Sequence, residues 1–167
     1  MAMELVETIE VGSGGASSIE FTSIPQDGVD LLLVASLRSA RASLVDDAQL
    51  KFNNVGSGDP YEDVELRGNG SSVASNTNAG NWFRFAGING ATSTTDTFSS
   101  HKLYISNYTS TSIKACSYNV VSENNDTTAY QYLKAVSANV TAAITSIQLD
   151  ESSVFQEHST VSLYKIY

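Results

Sequence analysis

The stretch VDLLLVASL, residues 29–37, is the longest mainly apolar run in the chain and has the length of one strand. Apolar side chains occupy both alternating sets of positions, so both faces of a strand formed here would be apolar. The stretch therefore predicts a central strand that is covered on both sides, or one whose second face lies at an oligomer interface.

Shorter runs on both sides of this stretch alternate apolar and polar residues with a period of two. Such a period places one set of side chains on a core and the other set in water. The apolar side chains predicted to face the core are Ile19, Phe21, Ala48, Leu50, Phe52, Val64, Leu66, Val161 and Leu163. Further strands are predicted at residues 98–106, 112–121, 129–138 and 143–149.

Residues 135–144 have the alanine content of a helix, but their β-branched side chains favour a strand because they lose rotamer freedom in a helix. Clusters of Gly, Ser, Asn and Asp separate the strands, and the longer polar stretches at 69–80 and 87–96 are predicted to be loops. Short strands at regular spacing predict one all-β domain over residues 1–167, either a sandwich or a barrel. Residues 1–11 would be an extended arm or the first strand.

The charge balance limits the partners of this chain. It has 167 residues and a formal net charge of −9, from 18 acidic and 9 basic side chains. A nucleic-acid interface needs clustered Lys and Arg, and the nearest approach to a cluster is the pair Arg38 and Arg41. No run reaches the roughly 18 apolar residues of a membrane span. We therefore predict no nucleic-acid partner and no membrane partner.

The residues that usually carry catalysis or bind metals are few and dispersed. His101 and His158 do not adjoin a nucleophile motif, so we expect both on the surface, and with the single Cys116 they do not supply a zinc site. Adjacent acids at 46–47, 62–63 and 150–151 would point to opposite faces of a strand, which favours solvated strand ends over catalytic carboxylates. We predict no catalytic residue, no cofactor and no metal ion.

One segment does suit a contact surface. Residues 81–86, NWFRFA, would place Phe83 and Phe85 on one face of a strand and Trp82 and Arg84 on the other. The phenylalanine face is predicted to join the core. A partly exposed Trp beside a cation suits either a subunit interface or a platform for a sugar ring, so Trp82 and Arg84 are the candidate contact residues.

Seven segments follow one another along the chain: ASSIEFTSIPQ (16–26), DLLLVASLRS (30–39), LKFNN (50–54), YEDVELRGNGSS (61–72), LYISNYTSTSIKACSYNVVSENND (103–126), AAITSIQL (142–149) and STVSLYKIY (159–167). In this order they resemble a group of small jelly-roll proteins in the virions of tailed bacteriophages. The resemblance covers most of the chain and rests on the order of the segments, since none of them is a catalytic motif.

The resemblance implies a virion location, after synthesis in a bacterial cytoplasm, and one of two roles. The first is a cement or decoration protein that binds the major capsid protein. The second is the tip of a tail fibre, which binds other tail proteins and recognises a host glycan or protein. It also implies that the fold is an antiparallel jelly-roll β-sandwich and that the chain self-associates as a homotrimer.

Several features favour the capsid role over its alternatives. The loops are rich in neutral Ser, Thr and Asn, which suits docking on a shell, and residues 1–11 and 69–80 are the predicted docking segments. We also expect the fold to begin at residue 1, which leaves no room for a fibre shaft. A polysaccharide depolymerase that uses two carboxylates is the competing enzyme hypothesis.

Overall fold

Alternating side chains pair into antiparallel strands throughout the described chain. The computed structural model describes residues 2–124 and 129–167, and within them it contains twelve strands and no helix. The strands are β1 (Met3–Glu10), β2 (Ala16–Phe21), β3 (Asp30–Leu37), β4 (Val45–Phe52), β5 (Tyr61–Gly68), β6 (Val73–Gly80), β7 (Phe83–Asn89), β8 (Ser99–Ile105), β9 (Lys114–Ser122), β10 (Tyr130–Ala138), β11 (Ile147–Phe155) and β12 (Thr160–Ile166). All of their pairings are antiparallel, which confirms the predicted all-β class.

Two sheets pack face to face as a β-sandwich. The larger has eight strands in the order β1-β12-β3-β8-β9-β10-β5-β6, and the smaller has four in the order β2-β11-β4-β7. The edge strand β7 of the smaller sheet packs against β5, β8, β9 and β10 of the larger one. We call the face of the larger sheet that points toward the smaller sheet its inner face, and the opposite face its outer face.

The predicted central strand is confirmed as β3, which lies between β12 and β8 in the larger sheet. Leu31, Leu33 and Leu37 point into the core and are fully buried. Leu32 and Val34 point to the outer face, where Leu32 is half-buried and Val34 is exposed. One face of this apolar strand is therefore covered within the chain.

Most of the other predicted strands are present. β8, β9 and β10 lie where they were predicted, so residues 135–138 belong to a strand and not to a helix. The prediction for 143–149 is wrong in its position, because β11 begins at Ile147. The residues before it form a loop that buries Ile144, whose N–H donates to the carbonyl of Tyr108 at 2.8 Å.

Both long polar loops were predicted too long. The chain turns back after β5 because the Asn69 side-chain oxygen accepts hydrogen bonds from the N–H groups of Ser71 and Ser72, at 3.1 and 2.8 Å. This turn pairs residues 73–80 with β5 as strand β6. β7 likewise continues to Asn89 through a bulge at Gly87, whose φ of 84° and close approach to Val120 suit glycine.

β5 faces the opposite way from the prediction. Val64 and Leu66 were predicted to face the core, but they are 54% and 47% exposed, while Asp63 and Glu65 of the same strand are buried. β10 follows the same pattern, with Leu133 exposed and Lys134 buried. Alternation shows which residues share a face, and the tertiary packing decides which face is covered.

Candidate functional site

The candidate contact residues lie at the rim of the sandwich, where β7 begins. Phe83 and Phe85 are buried against Tyr118, with ring centroids 5.1 and 4.6 Å from its ring, which confirms the predicted core face. Trp82 is 44% exposed and Arg84 is half-buried. The predicted orientation of these four side chains is therefore right, and the contact role of Trp82 and Arg84 stays a prediction.

A groove of about 370 Å³ opens beside Trp82. Asp59, Asn78, Asn81 and Arg84 contribute to its walls. The side-chain oxygen of Asn81 accepts a hydrogen bond from the Asp59 N–H at 3.1 Å, which ties the loop before β5 to the turn before β7. An exposed indole beside carboxylate and amide groups combines an apolar platform with hydrogen-bonding groups, as binding sites for polar ring-shaped ligands require.

Arg84 forms ion pairs with a network of charged side chains, most of which are buried. The Lys134 ammonium lies 3.0 Å from Glu65 Oε2 and 3.5 Å from Asp63 Oδ2, and all three side chains are almost fully buried. Arg84 Nη1 lies 3.5 Å from the same Glu65 oxygen, and Arg84 Nη2 lies 2.7 Å from Asp47 Oδ2. Burial acts to lower the pKa of Arg84, but the charge and hydrogen bond of Asp47 outweigh it, so the pKa is raised.

This network holds the open edge of β7 against the larger sheet. Lys134 Nζ donates to the Arg84 carbonyl at 3.2 Å and Tyr118 OH donates to the Ala86 carbonyl at 3.0 Å, while the Gly87 N–H donates to Asp47 of the neighbouring strand β4 at 3.2 Å. The backbone groups that a sheet edge would leave free are thus satisfied by side chains. Glu65 is the least well satisfied side chain of the network, since among the described residues its Oε2 forms two ion pairs but neither of its oxygens accepts a hydrogen bond of good geometry.

His101 was predicted to lie on the surface, and that prediction is wrong. Its ring is buried and stacks on Phe85 at 4.9 Å, because an imidazole with both nitrogens bonded can fill an aromatic core. Nε2 lies 2.6 Å from Ser99 Oγ and Nδ1 lies 2.7 Å from Tyr118 OH. Tyr118 OH donates to the Ala86 carbonyl at 3.0 Å and Ser99 Oγ donates to the Leu37 carbonyl at 2.9 Å, so either hydroxyl can accept the one N–H of the neutral ring.

The contact between Ser99 and His101 has the geometry of a nucleophile and a base. Both residues, however, are fully buried, and the second partner of the ring is a tyrosine where a triad has a carboxylate. Burial lowers the pKa of His101 to about 3, so the ring is neutral at physiological pH. Ser99 and His101 therefore form a hydrogen-bonded part of the core.

One member of each acidic pair is buried, which corrects the expectation of solvated strand ends. Asp46, Asp63 and Glu151 are buried, and their neighbours point to the opposite face as predicted. Asp46 is compensated by Arg41 at 2.9 Å and by the hydroxyl of Ser39 at 2.7 Å.

Burial, together with the negative charge of Asp46, raises the pKa of Glu151 to about 7. A carboxyl group with this pKa is partly protonated near neutrality and can share a hydrogen bond with its acidic neighbour. The two carboxylates are therefore accommodated as a structural pair.

The two remaining residues that sequence analysis singled out are also structural. The Arg38 guanidinium is buried and donates to the carbonyls of Thr94 and Thr97 at 2.9 and 2.8 Å, so it holds the loop before β8 in place. Cys116 is buried, and burial raises the pKa of its thiol to about 12. A thiol that stays protonated at neutral pH is a poor nucleophile.

The two predicted docking segments lie at opposite edges of the larger sheet. Residues 1–11 contain β1, a paired strand and not a free arm, and residues 69–80 contain β6. β1 carries Glu4, Glu7 and Glu10 and has a bulge, features that discourage pairing with another strand. β6 has the sequence VASNTNAG, with no charge, no proline and no bulge in its pairing with β5.

The outer face of the larger sheet carries an exposed apolar surface that sequence analysis missed. Val64 and Leu66 on β5 lie directly opposite Ala135 and Leu133 on β10, and Val121 on β9 lies beside them. We call these five residues the outer patch. The alternation of β5 revealed Val64 and Leu66, but both were predicted to face the core, and no face was predicted for the other three residues.

Comparison with protein-family models and with curated proteins finds no match for this chain. Within residues 2–124 and 129–167, no three His, Cys, Asp or Glu side chains converge as a metal site would require. The same described residues contain no helix long and apolar enough to cross a membrane.

Proposed function

We propose that this chain is a non-enzymatic structural protein of a tailed-bacteriophage virion, and that it decorates the head by binding the major capsid protein. The resemblance of its ordered segments to small virion proteins is the starting point. The observation that carries the proposal is β6, an eight-residue edge strand without charge, proline or bulge. Such an edge can add a strand from a neighbouring protein through backbone hydrogen bonds.

The jelly-roll topology is part of the same proposal. β1, β12, β3 and β8 are consecutive in the larger sheet, and β2, β11, β4 and β7 make up the smaller one. That order is the one expected of an eight-stranded jelly roll, an architecture used by many viral capsid proteins. In this view β5–β6 and β9–β10 are two inserted hairpins that widen one sheet.

Location on the particle is the decisive test. Gold-labelled antibodies to this chain, applied to intact particles, should label the whole head at many symmetry-related places. Label confined to the end of the tail would overturn the capsid role.

The docking edge is tested with a pair of matched substitutions. Asn76→Lys places a charge on β6, and Thr8→Lys places the same charge on β1. Only Asn76→Lys should abolish binding of the purified protein to undecorated heads, because a charge on the pairing edge opposes strand addition. Equal binding by both variants would show that β6 is not the docking edge.

The groove beside Trp82 favours a second candidate, a tail-tip protein that binds a host glycan. Trp82 is the single tryptophan of the chain, so its fluorescence reports directly on this groove. Titration with host surface polysaccharide should shift the emission of Trp82 if a sugar ring stacks on the indole. Release of new reducing ends would instead identify a depolymerase, and an unchanged spectrum would count against both.

A further inference from the structure

We propose that the outer patch is buried against a second copy of this chain in a two-fold, patch-to-patch contact. The proposal goes beyond head decoration, since it names a partner and a surface that a decoration role does not require. It rests on the composition of the two faces of β5 and β10, on the neutrality of the patch and on its size.

Around the Leu66–Leu133 pair, apolar side chains face outward and charged side chains face inward, the reverse of the usual arrangement in a monomeric soluble protein. Leu66 and Leu133 are directly paired and each is 47% exposed, while Glu65 and Lys134 lie on the inner face with side chains that are 0% exposed. Burying charges and exposing leucines are both unfavourable. A second protein surface over the outer face would remove the cost of exposing the leucines.

The charge of the chain favours a neutral surface for self-contact. On the outer faces of β5, β6, β9 and β10, which are all fully described, Glu62 at one end of β5 is the single charged side chain. The whole chain carries a formal net charge of −9, so most other faces of two copies would repel each other. The outer patch can meet its own copy without opposing like charges.

The dimensions of the face also suit a dimer. Four strands spaced about 4.8 Å apart and about eight residues long cover on the order of 500 Å² of sheet. Two copies would thus bury on the order of 1,000 Å², which is near the lower limit of specific interfaces. Two hollows on this face, of about 650 and 380 Å³, lie beside the projecting Val64, Leu66 and Leu133 and can receive such side chains from a partner.

A contact between identical patches is isologous and closes at two copies. The outer patch therefore predicts a dimer, whereas the resemblance implied a trimer. Sedimentation equilibrium from about 1 to 200 μM, the range that resolves micromolar association, should show the mass rising from 17.8 kDa toward twice that value. A mass of 17.8 kDa throughout, or a trimer mass, would overturn the proposal.

Charge substitutions at the centre of the patch test the contact itself. Leu133→Glu should weaken dimerisation at least about tenfold, because central interface residues carry most of the binding energy. Leu133→Lys should do the same, and an equimolar mixture of the two variants should associate again if patch meets patch. A dimer that persists in Leu133→Glu, or a mixture that stays monomeric, would contradict the proposal.

Val29→Glu is the matched control. Val29 is 50% exposed but lies before β3, outside the outer patch, so the same charge there should leave the dimer intact. Far-UV circular dichroism should be unchanged in all three variants, and at concentrations where the wild type is monomeric their unfolding temperatures should match that of the wild type, because each substituted side chain is already half in water. This separates loss of association from loss of folding.

Discussion

At the scale of single residues, the core of this protein contains an imidazole that has to remain neutral. His101 is fixed by Ser99 and Tyr118, and burial holds its pKa at about 3 against 6.5 in an exposed histidine. Protonation would give both ring nitrogens a hydrogen to donate and place an uncompensated charge in the aromatic core. The residue therefore links the stability of the fold to pH.

The first prediction is that His101→Phe reduces the acid sensitivity of the fold. The pKa of His101 is depressed in the folded state, so its contribution is fully present above pH 6.5 and is lost as pH falls toward 3. The wild-type free energy of unfolding should fall by up to about 1.4 kcal/mol per pH unit more steeply than that of the variant. Urea titrations between these pH values measure the difference.

Phenylalanine is a suitable replacement because Ser99 and Tyr118 can still donate to the carbonyls of Leu37 and Ala86. His158→Asn is the control, since His158 is exposed and has a positive φ that asparagine tolerates. Equal pH slopes in the wild type and His101→Phe would contradict the assignment.

The second prediction concerns Glu151, whose pKa is shifted in the opposite direction. Burial and Asp46 raise its pKa from 4.5 to about 7, so its contribution to stability is fully present below pH 4.5 and is lost as pH rises through 7. Glu151→Gln should therefore stabilise the protein at pH 8, by at most about 3 kcal/mol, and have little effect at pH 4.

Thermal unfolding at several pH values tests this sign. Glu157→Gln removes an exposed carboxylate six residues away and should show no such crossover. A Glu151→Gln effect that is independent of pH would mean that Glu151 remains ionised in the folded protein.

At the scale of strands, the sequence predicted which residues share a face better than it predicted which face is covered. β2, β4 and β12 have their apolar residues in the core, as the alternation indicated. β5 and β10 alternate in the same way, but most of the smaller sheet does not cover them. Their inner faces pack instead against the edge strand β7. The sequence of a single strand does not indicate where that strand lies relative to the second sheet.

Two further strand-scale differences have equally physical causes. β6 has few β-branched or aromatic residues, and it forms because β5 leaves an edge to pair with and the Asn69 turn directs the chain onto it. β11 begins later than predicted because the apolar residues before it enter the core from a loop. The faces of Trp82 and Arg84, in contrast, could be predicted from sequence, because the chain alternates regularly there and the larger sheet buries Phe83 and Phe85.

The third prediction tests the buried ion pairs between β5 and β10. Lys134→Met should destabilise the protein by about 3–5 kcal/mol, because it leaves Glu65 and Asp63 buried without their cation. Adding Glu65→Leu should recover part of that loss, since it replaces one of the two carboxylates that have lost their cation by an apolar side chain, while Asp63 stays buried. The free energies of unfolding of the wild type, the two single variants and the double variant form a double-mutant cycle.

Lys102→Met is a fitting comparison, because Lys102 is an exposed lysine on the outer face of β8. It should change stability by less than about 0.5 kcal/mol. If Lys134→Met behaves like Lys102→Met, the ammonium of Lys134 is not buried between the sheets.

At the scale of the whole molecule, the distribution of charge separates surfaces that repel from those that can associate. Eighteen acidic side chains against nine basic ones give each copy a net charge of −9. The outer patch lies in a neutral region of this acidic surface, and β6 borders it without charge. Long-range repulsion and short-range apolar contact therefore oppose each other whenever two copies meet through this face.

The fourth prediction follows from that opposition: added salt should strengthen dimerisation. At about 0.01 M salt the Debye length is about 30 Å, so the net charges of two copies repel across the whole interface, whereas at about 0.1 M it shortens to about 10 Å. The dissociation constant should fall roughly tenfold or more over this range and then level off, because the patch itself contains no ion pair for salt to screen. Sedimentation equilibrium at pH 7.5 measures this dependence, with Leu133→Glu as the variant that should remain monomeric in every salt concentration. An interface built on ion pairs would respond in the opposite direction, so association that weakens with salt would place the contact on another, charged surface of the molecule.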